Sequence, residues 1–148
     1  MAVLQSTFGE TYDKGYAGMD ASGELSNIIT RTLESASVAF GKALYAGTAD
    51  NQAVTTPSAR LLGFALADKS LPVTSTRAAD TFITGDNVAI KNRGSIWVSV
   101  SVAVADGDLV YVTNAGVITN VSTSNTLATG WEFQDTLAAA GIGRIVRR

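Results

Sequence analysis

An all-β fold follows from three features of this sequence: a single β-sandwich or barrel-like domain of short antiparallel strands, preceded by an extended N-terminal arm. Between positions 96 and 104 every second residue (Ile96, Val98, Val100, Val102, Val104) is β-branched, and after Trp97 the intervening positions are only Ser99, Ser101 and Ala103. That is period-two alternation built from the side chains that pack best on a pleated surface. From position 28 onward, short apolar runs alternate with turn residues about every 8–12 positions, the spacing of a sandwich or barrel. Helical periodicity is missing. The Ala-rich stretch 136–140 is too short to stand alone, and Gly141 and Gly143 stop it.

Residues 1–30 read as the arm and residues 31–148 as the β-rich domain. The arm has glycines at 9, 15, 18 and 23 and shows neither a strand nor a helix period. Disordered tails are poor in aromatics, yet this segment holds Phe8, Tyr12 and Tyr16 together with Leu4 and Met19. Leu4, Phe8, Tyr12, Tyr16 and Met19 are therefore candidate contact residues of an arm that orders on a neighbouring surface. The opposed reading is a floppy terminus. At about 3.3 Å per residue the arm spans several tens of ångströms, enough to add to a neighbour's sheet edge. It is expected to be separable from the fold, so that loss of residues 1–25 weakens assembly or docking at least about tenfold and leaves the domain intact.

Within the domain, Asn92-Arg93-Gly94 is expected to turn strand 88–91 into strand 95–104, and Asn114-Ala115-Gly116 to join strand 108–113 to strand 117–121. A glycine closing a short loop supplies the positive φ of a bulged hairpin. Gly107, between Asp106 and Asp108, reads as a third tight turn. A weak repeat runs through the chain. Gly41-Lys42-Ala43-Leu44-Tyr45 resembles Gly107-Asp108-Leu109-Val110-Tyr111, and Gly63-Phe64-Ala65-Leu66-Ala67-Asp68 resembles Gly130-Trp131-Glu132-Phe133-Gln134-Asp135. The separations within the two copies, 22 and 23 residues, keep them in register and indicate two similar β-units in one domain.

Composition narrows the function. At 148 residues the chain fits one domain, with no cysteine and no histidine. Disulfides, thiolate chemistry, His-based triads and the commonest metal ligand are thereby removed. No cofactor and no metal are expected, and no enzyme activity. No basic region followed by an apolar run opens the chain, and no apolar stretch approaches the roughly 20 residues of a membrane helix, so neither a leader nor a membrane partner is expected. Arg144, Arg147 and Arg148 lie in the last five positions, leaving 8 basic against 13 acidic side chains over residues 1–143, a net of −5. An acidic body does not wrap nucleic acid. Arg147 and Arg148 read either as partner contacts or as solubilising charge at a frayed end.

The apparent motifs dissolve on inspection. Gly41-Lys42-Ala43 has Ala36 where a phosphate loop needs its first glycine and Ala43 where it needs Ser or Thr. Gly141-Ile142-Gly143 lacks the third glycine and the helix of a dinucleotide site. Asp106 and Asp108 lack the supporting acids of a calcium loop. Glu132 and Asp135, at i and i+3 on a strand, point to opposite faces. The tyrosines and tryptophans read as core or interface anchors more readily than as a sugar-stacking platform.

The segments V-A-I-K-N-R-G-S-I-W-V at 88–98, A-V-A-D-G-D-L-V-Y-V at 103–112 and N-A-G-V-I-T-N at 114–120 resemble tailed-bacteriophage capsid cement proteins, also called head decoration proteins. V-A-F-G-K-A-L-Y-A-G-T at 38–48, L-L-G-F-A-L-A-D at 61–68, G-Y-A-G-M at 15–19 and G-E-L-S-N at 23–27 are similar to matching parts of that family. The resemblance implies a homo-oligomer, a trimer favoured over a dimer, made in the host cytoplasm. It further implies that the protein binds the outside of the assembled head and bridges neighbouring major capsid protein subunits. The alternative from the residues alone is a carbohydrate-binding or adhesin-like β module; a small hydrolase would need two carboxylates converging in a pocket. One structural outcome follows directly. Val100→Asp puts an unpaired charge in the core and should abolish cooperative unfolding, as read by circular dichroism.

Overall fold

The computed structural model of the chain describes residues 13–148, and these are strands, turns and irregular segments with no helix among them, 136–140 included. In chain order the strands are β1 (Asn27–Leu33), β2 (Ser37–Ala39), β3 (Ala43–Ala46), β4 (Gln52–Val54), β5 (Leu61–Ala65) and β6 (Thr81–Ile83). There follow β7 (Asn87–Val100), β8 (Leu109–Val112), β9 (Ile118–Thr119), β10 (Thr126–Phe133) and β11 (Gly141–Arg147).

Strand β7 corrects the expected turn at Asn92-Arg93-Gly94. It runs through that tripeptide without a break, for 14 residues. Its neighbours hold it extended: β1 sets Asn27 against Arg93, and β11 sets Arg147 against Gly94. Turn-forming residues stay in a strand when adjoining strands already satisfy the backbone. Gly94 keeps a φ of +102° for another reason: a Cβ there would lie 2.9 Å from the Glu24 carbonyl oxygen, where the N-terminal segment crosses. The strand also stops at Val100 rather than 104, and Val104 makes a lone bridge with Leu137. The other two turns form as expected. Gly116 N–H donates to Thr113 O at 2.8 Å between β8 and β9, and Asp108 N–H to Ala105 O at 3.1 Å around Gly107.

Nine strands hydrogen-bond in the order β1-β4-β3-β5-β7-β11-β10-β8-β9, and β7 pairs additionally with β1 and with β9, so the sheet closes twice. The first ring is β1-β4-β3-β5-β7; the second is β7-β11-β10-β8-β9. The N-terminal half of β7 serves the first ring and its C-terminal half the second.

The two rings match pair for pair. Each contains one parallel pairing, β1 with β4 and β7 with β9. Ala43 opposite Phe64 and Tyr45 opposite Leu61 correspond to Leu109 opposite Glu132 and Tyr111 opposite Leu127. Phe64 opposite Lys91 and Ala65 opposite Ile90 correspond to Glu132 opposite Val146 and Phe133 opposite Ile145. The repeat visible in the sequence is thus a repeat of strand pairing, with a shift. The partner of Phe64 in the second unit is Glu132, not Trp131, because β10 carries a wide irregularity between Leu127 and Glu132.

Each ring has its own core. Leu33, Leu44, Leu62, Ala65, Val88 and Ile90 fill the first, joined by Val38 and Phe82 of the small β2–β6 sheet. Ile96, Val98, Val100, Val110, Val112 and Ile145 fill the second, with Val104 buried and Val102 partly so. Ala43, Tyr45 and Phe64 leave the first core and join the second, where Phe64 meets Trp131 edge-on at 4.8 Å. Burial pushes the Tyr45 hydroxyl up to about 12. Strands β3 and β5 of the first ring therefore form a wall between the two cores.

At Gly63 the strands approach so closely that a Cβ would collide with the Lys91 carbonyl carbon and oxygen. Gly63→Ala must part β5 from β7 and should destabilise by roughly 2–4 kcal/mol in urea unfolding. Gly116→Ala, with no heavy atom within 4 Å of the added Cβ, should cost about 1 kcal/mol through its backbone alone.

Candidate contact surfaces

Lys91 is the one fully buried charged residue among those described, and the N-terminal segment explains how β7 tolerates it. Its side chain is 0% exposed, and its ammonium donates to both Asp20 carboxylate oxygens at 2.8 Å and to Ser26 Oγ at 2.7 Å. Three donors thus meet three acceptors, which a buried ammonium requires. The same segment pairs with the second half of β7: Gly18 N–H donates to Trp97 O, Trp97 N–H to Met19 O, and Ala21 N–H to Ser95 O. Ala67 N–H donates to Gly18 O, binding the segment to the chain after β5. Residues 18–26 are therefore part of the body, and the region that can be cut without loss of these contacts ends before them.

Of the arm's candidates, Tyr16 and Met19 are exposed, at 45% and 40%, and Lys69 Nζ sits 4.5 Å from the Tyr16 ring centroid. Leu4, Phe8 and Tyr12 lie outside the described residues. The outer face of β7 is partly occupied by the chain itself. Gly15 packs against the Trp97 indole, which Arg144 flanks at 5.5 Å, while Ser99, Ser101 and Ala103 remain exposed.

The terminal arginines are not on a frayed end. Strand β11 pairs with β7 as far as Arg147. Arg144 binds Asp135 at 2.6 Å, and Arg148 bridges Glu24 at 3.1 Å and Glu132 at 3.0 Å. Arg147 donates to the Asn92 carbonyl at 3.3 Å. Together Asn27, Asn92, Arg93, Arg147 and Arg148 line a cleft of about 510 Å³. Neither Arg93 nor Arg147 has a carboxylate partner among the described residues. Sequence reasoning placed two of these arginines but missed Arg93, because it assigned Arg93 to a turn. A second cleft of about 500 Å³ lies beside Trp97 and Arg144, lined also by Asp13, Gly15, Met19 and Asp20.

The acidic pairs serve the fold. Asp108 accepts from Ala105 N–H at 2.9 Å and from the Asn120 amide at 2.7 Å, and these bonds hold its carboxyl below the usual range. Glu132 and Asp135 go to different arginines. Among the described residues no three His, Cys, Asp or Glu side chains converge, and no helix is long and apolar enough to cross a membrane.

With this geometry in place, a family model described as structural cement protein (E217 gp24/Pam3 gp6) matches residues 4–148. The chain belongs to that family. It is a structural protein of the phage capsid. Among solved structures, a chain from the capsid of Myoviridae phage XM1 has a TM-score of 0.70 at 16% identity, covering 99% of this chain and 97% of that one, which shows a shared fold. Another, from the head fiber gp8.5 N base in bacteriophage phi29, has a TM-score of 0.48 at 11% identity, with 84% and 95% covered. No curated protein matches this cement protein.

Two variants test the Lys91 clasp. Asp20→Ala should lower stability by about 2–3 kcal/mol, less than a fully buried pair costs because Asp20 is half exposed. A chain lacking residues 1–25 should lose comparable stability, since Asp20 and the backbone bonds of residues 18–21 to β7 go with it.

Proposed function

We propose that this cement protein binds the outer surface of the assembled phage head, bridges neighbouring major capsid protein subunits, and does so as a homo-oligomer, a trimer rather than a dimer. The family match over residues 4–148 supports the cement role. Cement action needs contact area and symmetry rather than catalysis. Each copy touching two or more shell subunits lets weak contacts act together. A protein that binds only the assembled lattice stabilises it by mass action.

The contact residues proposed are Tyr16 and Met19 on the N-terminal segment, Leu4, Phe8 and Tyr12 before it, and Arg147 and Arg148 with Arg93 in the basic cleft. On an acidic body this cleft is the place that suits carboxylates of a shell subunit, and bidentate guanidinium–carboxylate pairs are the strong form of that contact. The carbohydrate-module alternative asks for a planar aromatic cluster at the surface. Among the described residues the two aromatic pairs, Phe40 with Phe82 and Phe64 with Trp131, are instead buried in the cores.

Heads assembled without this protein supply the test. Added cement protein should decorate them at symmetry-related outer positions in cryo-EM maps and raise their rupture temperature. Arg93→Ala with Arg147→Ala should weaken decoration roughly tenfold. Heads that stay bare at micromolar protein would refute the reading.

A further inference from the structure

The two units differ by an insertion. Their backbone bonds match on both sides of it. Gly41 N–H donates to Ala65 O as Gly107 N–H does to Phe133 O, both at 2.8 Å. Leu66 N–H donates to Ala89 O at 2.8 Å, and Gln134 N–H to Arg144 O at 2.9 Å. Val38 faces Phe82 in the β2–β6 sheet as Val104 faces Leu137 in its bridge. Seven positions separate Phe82 from Ala89, and seven separate Leu137 from Arg144. Sixteen, however, separate Leu66 from Phe82, against three from Gln134 to Leu137. The first unit therefore carries thirteen extra residues, 68–80, between Ala67 and Thr81, where the second unit has only Asp135 and Thr136.

The insertion is built as a compact loop. Its ends meet: Lys69 pairs with Asp80 at 2.6 Å, and Phe40 N–H donates to Asp80 O at 3.0 Å. Leu71 packs on the first core, and Thr74 N–H donates to Arg77 O at 3.0 Å. A strandless loop of this length that is held in place, and that the sister unit lacks, has the form of a functional loop. Its charges are spent inside the chain. Lys69 is paired with Asp80 and Arg77 with Asp86, while Asp68 accepts from the Ser70 N–H and hydroxyl. What faces outward is Pro72, Val73, Thr74, Ser75 and Thr76, all exposed. Val73, at 68%, is the most exposed large apolar side chain among the described residues.

We infer that residues 68–80 are a recognition loop, and that its tip, Pro72 and Val73, seats in an apolar depression on a major capsid protein subunit. The second unit closes its sheet without such a loop, so the tip serves something outside the fold. Nucleic acid would ask for unpaired cations, which the tip does not offer. An exposed Pro-Val pair suits an apolar pocket of another protein, and both side chains lose little rotamer freedom on docking. The loop is continuous with the segment that the proposed function sends to the shell, since Lys69 Nζ lies 4.5 Å from the Tyr16 ring centroid. For its partner the inference rests on that proposed reading.

Heads assembled without the protein, together with sedimentation, test it. A chain lacking residues 68–80 joins Ala67 to Thr81, the length of link that the second unit uses, and should keep its strand signature in circular dichroism. That chain, and the full chain with Val73→Glu, should bind heads at least about tenfold more weakly than the wild type. Val73→Ser, which removes apolar area without adding charge, should act in the same direction by less. These point variants sit at an exposed position and carry the test by themselves if the shortened chain does not fold. All variants should sediment as the wild type does. Variants that decorate heads as well as the wild type would overturn the inference and leave the cement reading standing. Variants that lose self-association would also overturn it, because the tip would then meet a second copy. Wild-type protein that leaves heads bare would defeat both.

Discussion

Where β7 passes from the first ring to the second, its backbone is hydrogen-bonded to β1 and β5 before the crossing and to β11 and the N-terminal segment after it. At that waist every neighbour is tight. Gly63 has no space for a Cβ against the Lys91 peptide, and Gly94 has none beneath the crossing segment. The side chain at the waist is a buried lysine, neutralised by Asp20 and completed by Ser26. Two closed sheets can share one strand only if these contacts hold together. A defect there is felt in both cores, since Ile90 belongs to one and Ile96 to the other.

The consequence for function is a double unit closed through β7. A closed sheet has no free edges of the sort that invite indiscriminate strand pairing, so its specific contacts have to come from elsewhere. The rings leave three surfaces outside: the segment bearing Tyr16 and Met19, the arginine cleft at the end of β11, and the outer face of β8 and β10. These surfaces differ in chemistry, one mixed, one basic and one apolar. On the proposed cement reading, separate faces let several contacts strengthen one another without competing.

Charge is used locally. Every lysine or arginine in an ion pair has a specific partner nearby, Arg77 with Asp86, Arg144 with Asp135, Arg148 with two glutamates. Most of these are partly exposed and contribute little each. The Lys91–Asp20 pair is different in kind, because its cation has no access to water and its loss leaves an uncompensated charge between two sheets.

The all-β class, the inward residues Ile96, Val98, Val100, Val110 and Val112, the turns at Gly107 and Gly116, and the two-unit repeat were all determined by the sequence. Alternation and turn chemistry are local properties, legible from neighbours along the chain. Tertiary structure decided the rest. Asn92-Arg93-Gly94 has the composition of a turn and is extended because strands distant in sequence bind both its sides. Residues 18–26 look like a free arm and are held because a buried ammonium 71 residues away from Asp20 needs acceptors. The exposure of Leu109 and Leu127, against the burial of Tyr45 and Phe64, has no local signal at all. It depends on which unit lies next to which, and a repeat of two has one face with no unit left to cover it.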